Sequence, residues 1–229
     1  TETRWIDMEN FLHGIWVSLK GAPVTLGVSL FAVAVGAALG LVFALMKKSD
    51  NGPLRIISKI YIEVIRGTPM IVQALIMAFG IPILLKQWGI SFTWPDLIIP
   101  AMLVCGLNSA AYMAEVIRGG IQAVDPGQVE AAQSLGMSKH QITRLIVLPQ
   151  AIRIVIPSFG NEFISLIKET AVLSFVGVVE ILRGAQLWAA SSALTFHAYI
   201  GAAIVYLMLT FPLSKGVAAL EKHLARDMA

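Results

Sequence analysis

The chain has 229 residues, of which 57% are hydrophobic and only 14% charged, and its mean hydropathy is +0.77. Soluble domains carry about 25% charged residues, so this composition excludes a water-soluble globule, and it excludes a disordered chain as well. The net charge of +3 makes no case for nucleic acid, and the single cysteine, Cys105, excludes an internal disulfide framework and a Cys-cluster metal site.

No basic stub with a short apolar core and cleavage site opens the sequence, so no signal peptide is expected. Thr1 to Leu19 is amphipathic, with Trp5, Met8, Leu12, Ile15, Trp16 and Leu19 at helical spacing. That pattern suits an interfacial helix leading into a first membrane span. Crossing a hydrocarbon layer of roughly 30 Å takes about 20 apolar residues. Five stretches qualify, at 15–46, 62–85, 97–117, 151–179 and 197–218. Within the first, Ala32, Gly36, Gly40 and Ala44 recur every four residues, a face for close helix contact. Asp50-Asn51-Gly52-Pro53 is a turn by composition, and Trp88 and Trp94 flank the second outer loop at interfacial positions.

Basic residues are retained on the cytoplasmic side of short loops. Lys47, Lys48, Arg55, Lys59 and Arg66 follow span one. Arg118, Lys139, Arg144 and Arg153 follow span three, and Lys215, Lys222 and Arg226 follow span five. They outnumber Arg4, Lys20, Lys86 and Arg183 on the other side. The expected architecture is therefore a single all-α integral membrane domain over 1–229, N-terminus outside and C-terminus in the cytoplasm.

The cytoplasmic loop at 122–149 carries helix signals of its own. Asp125-Pro126-Gly127-Gln128 has an N-cap acid, a first-turn proline and a glutamine at the capping-box position. A helix from there stops at Gly136. A second box at Ser138-Lys139-His140-Gln141 starts a helix that Pro149 is expected to end. Two short helices would make a compact knob, and Ala131 and Ala132 give it a low surface that suits docking in a groove.

Glu130-Ala131-Ala132, then Gly136, then Ile146-Val147-Leu148-Pro149 resembles the EAA loop of bacterial ABC importer permeases. Arg66-Gly67-Thr68-Pro69 with Gln73, Ala114 to Gly120, Gly127-Gln128 and Leu148 to Ala151 resemble the polar amino acid uptake branch. The likeness covers about Val24 to Leu220. It implies the type I importer permease fold: five spans with a two-helix coupling loop between spans three and four. It also implies a transport subunit in the bacterial inner membrane rather than an enzyme, with no cofactor in this chain. An ABC ATPase subunit would bind ATP and magnesium, with Glu130, Ala131, Ala132, Leu135, Gly136 and Met137 forming the coupling contact. A second permease chain, identical or related, and an extracytoplasmic amino-acid-binding protein would complete the assembly. After Lys168 the family usually has Asp-Thr-Ser-Leu, whereas this chain has Glu169-Thr170-Ala171-Val172, so substrate specificity does not carry over.

Span four holds a polar stripe. At about 100° per residue, Ser158, Asn161, Glu162, Ser165, Lys168 and Glu169 fall within about 120° of arc. A charge at the bilayer centre costs about 2.5–3.5 kcal/mol on insertion scales, and no opposite charge stands three or four residues from any of these. Compensation must come from another helix, water or a ligand. Span three offers Asn108, Tyr112 and Glu115 on one face, with Ser109 further round. A free amino acid is a zwitterion, so Lys168 or Asn161 could hold its carboxylate and Glu162 or Glu169 its ammonium. The expected pathway is Gln73, Asn108, Tyr112, Asn161, Glu162, Ser165, Lys168 and Glu169.

No Gly-Lys pair for a phosphate-binding loop is present, and the four histidines show no metal-ligand spacing. Two other readings compete: a secondary transporter in which Glu162 and Glu169 carry protons, and a membrane scaffold whose knob recruits a partner.

Overall fold

The structure, a computed structural model, describes residues 8–226, so Arg4 and Trp5 lie outside the described residues. The described residues fold into helices joined by loops: α1 Met8–Leu19, α2 Ala22–Lys48, α3 Gly52–Gly67, α4 Met70–Gln87, α5 Ile98–Gln122, α6 Pro126–Ser134, α7 Lys139–Val176, α8 Ile181–Ser192 and α9 Thr195–Arg226. Five of the described segments are long and apolar enough to cross a membrane: Met8–Lys48, α4, α5, α7 and Thr195–Leu224.

The α2–α5 pair forms the centre of the bundle. Ala32, Gly36, Gly40 and Ala44 are all buried, as the small-residue repeat predicts. A Cβ added at Gly40 would stand 2.6 Å from the Met113 Cβ and 3.0 Å from the Ala114 nitrogen; one at Gly36 would collide with the Ser109 side chain. A second close crossing joins α1 to α9, where a Cβ on Gly14 would meet the His197 carbonyl at 2.6 Å. The described part of the amphipathic first segment, α1, therefore packs into the bundle against α8 and α9, and a turn at Lys20-Gly21 separates it from α2.

Three boundaries differ from the sequence reading. The second span, expected as one piece at 62–85, breaks at Thr68-Pro69. Proline removes an N–H and pushes the preceding residue out of the helical region, and Thr68 is extended at φ −120° and ψ 143°. The helix before the break, α3, is not lipid-side filler. The Ser58 hydroxyl donates to the Phe43 carbonyl at 2.7 Å and the Tyr61 hydroxyl to the Leu107 carbonyl at 2.5 Å, clamping α3 onto α2 and α5.

Pro149, expected to end the second loop helix, does not. The chain passes through a π turn at Thr143–Val147 and continues without a stop into span four. Pro149 stands just after the π turn, where the change of backbone hydrogen-bond register accommodates its ring and missing N–H. Finally, the last part of α7, Thr170–Val176, tightens into a 3₁₀ turn, and Gly177 at φ +93° reverses the chain into α8.

Candidate functional site

Polar side chains hold the break in the second span together. The Gln73 amide donates to the Ile65 carbonyl at 2.8 Å, the Thr68 carbonyl at 3.1 Å and the Thr68 hydroxyl at 2.9 Å. Its own oxygen accepts from Asn108 Nδ2 at 3.1 Å, which ties the break to the middle of α5. Carbonyls freed by a proline inside a membrane need such partners, because water is absent there. On the same face of α5, Tyr112 lies under Arg66, with 5.3 Å from the guanidinium to the ring centroid. Glu115 accepts from Lys47 Nζ at 2.6 Å and Arg118 Nη2 at 2.7 Å.

Asn108, Tyr112 and Glu115 thus turn towards α4, α3 and α2. The expectation that they face span four is corrected, because the unpredicted α3 and the paired α2 occupy that side of α5. Ser109, further round the helix, takes the role instead. Glu162 of α7 lies beside the Ser109 hydroxyl, which has no partner at hydrogen-bond geometry among the described residues.

Of the predicted stripe, Glu162 and Ser165 are half-buried, and Lys168 and Glu169 are exposed on the flank of α7. Asn161 departs from the group, since its amide donates to Glu221 of α9 at 3.2 Å. The pathway residues therefore form two clusters: Gln73, Asn108 and Tyr112 around the break, and Glu162, Ser165, Lys168 and Glu169 along α7.

Sequence reasoning missed Glu180, Arg183 and Gln186 at the start of α8. Glu180 is fully buried. Its carboxylate accepts from the backbone N–H of Leu182 at 2.8 Å and of Arg183 at 2.7 Å, and from the Tyr206 hydroxyl at 2.7 Å. An acid three residues after a glycine and directly before a helical stretch is a readable N-cap signal, but the fourth span was drawn through to 179 and hid it.

At the opposite end, the 122–149 loop presents its knob. Asp125 caps α6 by accepting from Gly127 N at 2.8 Å. The expected box is not closed there, because Gln128 Oε1 instead accepts from Gln150 Nε2 at 2.6 Å and fastens α6 to α7. The Ser138–Gln141 box is present as predicted. Glu130 and Ala131 are exposed, Ala132 is buried, Met137 is half-buried and Gly136 bends the chain at φ +78°. Leu135 is 83% exposed, an apolar side chain held out at the tip.

A family profile described as "Binding-protein-dependent transport system inner membrane component" matches residues 36–229. The chain belongs to this family. The permease is 36% identical over 214 residues to the putative glutamine transport system permease protein of Rickettsia conorii, covering 93% of this chain and 95% of that protein. It is 37% identical to the octopine transport system permease protein of Rhizobium radiobacter, covering 92% and 87%. A chain from the crystal structure of an amino acid ABC transporter with histidines superposes with a TM-score of 0.87 at 38% identity, covering 95% of this chain and 99% of that one. The inward-facing methionine ABC transporter MetNI shares the fold, at a TM-score of 0.62 and 19% identity. The permease therefore has the type I importer fold and is a multi-pass inner-membrane transport subunit. Membership in a binding-protein-dependent family also argues against the proton-coupled and scaffold readings.

Proposed function

We propose that the permease is the membrane subunit of an ATP-driven importer for a polar amino acid. The observation that carries this reading is the set of near-full-length relatives named for glutamine, octopine and amino-acid transport. The stripe on α7 supports it, because groups of both signs stand on one face: Lys168 for an anion, Glu162 and Glu169 for a cation.

The remaining parts follow from the family and the charge distribution. The N-terminus lies outside and the knob inside. A partner ATPase holds ATP and magnesium and seats Glu130 to Met137 in a groove. When its nucleotide sites close, the knob is dragged, and the bundle shifts between states open to opposite sides. A second permease chain covers the flank that exposes Lys168 and Glu169, which cannot face hydrocarbon unpaired. An extracytoplasmic binding protein delivers the substrate.

Reconstitution tests this reading. Vesicles holding the permease, its ATPase and its binding protein should accumulate an amino acid only with internal ATP. Accumulation that needs a proton gradient and no nucleotide would reject the reading.

A further inference from the structure

A cavity of about 440 Å³ opens between α4, the end of α7 and the start of α8, bounded by Phe79, Ser174, Phe175, Gly177, Arg183 and Gln186. It lies at the end of α7 remote from the knob. Its polar groups form a chain: Arg183 Nη1 donates to Gln186 Oε1 at 3.3 Å, and Gln186 Nε2 donates to Ser174 Oγ at 3.5 Å.

Arg183 has no carboxylate at salt-bridge distance among the described residues. The acid nearest in sequence, Glu180, already accepts from two backbone N–H groups and Tyr206. A guanidinium stays charged and presents five donors in a fixed fork. Here it is half-buried beside apolar walls, Phe79 and Phe175, with donors left over that suit an anion. The volume is within the range of about 300–1,000 Å³ typical of small-molecule sites.

Resting on the amino-acid reading above, we propose that this cavity is the outward-side subsite of the pathway and that Arg183 holds the substrate's α-carboxylate. Gln186 aims the fork, and the α-carboxylate is the planar anion that the fork matches. Ser174 follows Glu169 on the same helix, at the end of α7 away from the knob. The two carboxylate partners suggested by sequence fit less well. Asn161 is engaged with Glu221, and Lys168 is exposed on the flank of α7.

The test uses the complete transporter in proteoliposomes, with radiolabelled protein amino acids tried one at a time. No uptake of any of them by the wild type would reject the amino-acid reading itself. Given wild-type uptake, Arg183→Gln should raise KM at least about tenfold in a complex that still assembles, and Arg183→Lys should recover part of the loss. An Arg183→Gln transporter with wild-type KM would overturn the subsite while leaving the amino-acid reading intact. A second measurement stands even if that variant fails to assemble. Bound radiolabelled substrate on the wild-type permease–ATPase complex, without binding protein, should resist displacement by the corresponding amino-acid amide. Equal displacement by the amide and the free acid would sink the proposal.

Discussion

At the scale of single residues, the polar groups that matter most to stability are those that repair breaks in helices. Gln73 satisfies carbonyls released at Thr68-Pro69 and also pairs with Asn108. Gln73→Leu leaves those groups unpaired and should cost about 1–3 kcal/mol; a lowered thermal midpoint of the purified permease is the expected signature. Glu180 binds three donors at once, and a hydrogen bond to a charged group is worth about 1.5–3 kcal/mol. Tyr206→Phe should therefore lose about one such bond, and Glu180→Ala more, since it also strips the cap of α8. Midpoints ranked wild type, Tyr206→Phe, Glu180→Ala would bear this out, and the reverse order of the two variants would refute it. Both residues show what sequence can and cannot give. Gln73 was marked out by resemblance, yet its partners across the break could not be read. Glu180 went unseen because a span drawn by hydropathy ran straight over the turn at Gly177.

At the scale of elements, the small-residue stripe was fully legible. Spacing every four residues puts Ala32, Gly36, Gly40 and Ala44 on one face, and a bilayer gives such a face no use except close packing. Gly40→Ala should cost about 1–3 kcal/mol, because the new methyl meets the Met113 Cβ and the α5 backbone. Gly27→Ala on the same helix meets nothing within 4 Å and should be neutral or gain up to about 1 kcal/mol from helix propensity. Equal thermal midpoints for the two variants would contradict the interface. The five spans were legible for the same reason, since their length and apolarity are properties of the chain itself. What could not be read was continuity. Pro69 breaks a helix and Pro149 does not, although both are prolines in apolar surroundings. The difference is tertiary: Thr68 and Gln73 brace the first site, while the π turn at Thr143–Val147 lets the second enter a helix in register. Gly136 was predicted as a stop and is one. Its positive φ makes Gly136→Ala cost about 1–2 kcal/mol locally, with no clash to add, so the expected effect is on the angle of the knob. ATP-driven uptake should fall further than ATP hydrolysis does.

For the whole molecule, the decisive contrast lies between what holds the bundle together and what transmits work to it. Most side chains that pack the centre are out of reach from either membrane face, but Leu135 supports nothing: it is 83% exposed at the tip of the knob, where a membrane subunit without a partner would gain by a polar residue. A substitution that touches no packed neighbour normally changes stability by no more than about 0.5 kcal/mol. Leu135→Asp should thus leave the thermal midpoint of the isolated permease in place. It should also leave binding at the proposed Arg183 subsite unaffected, because the knob and that cavity occupy opposite ends of α7. The same change puts a charge where the proposed ATPase groove expects an apolar side chain, and an unpaired buried charge is strongly penalised. The ATPase should then no longer co-purify, and ATP-driven uptake should vanish with it. Retained co-purification and uptake would mean that force enters the bundle elsewhere, whereas a collapsed midpoint would mean that Leu135 belongs to the fold.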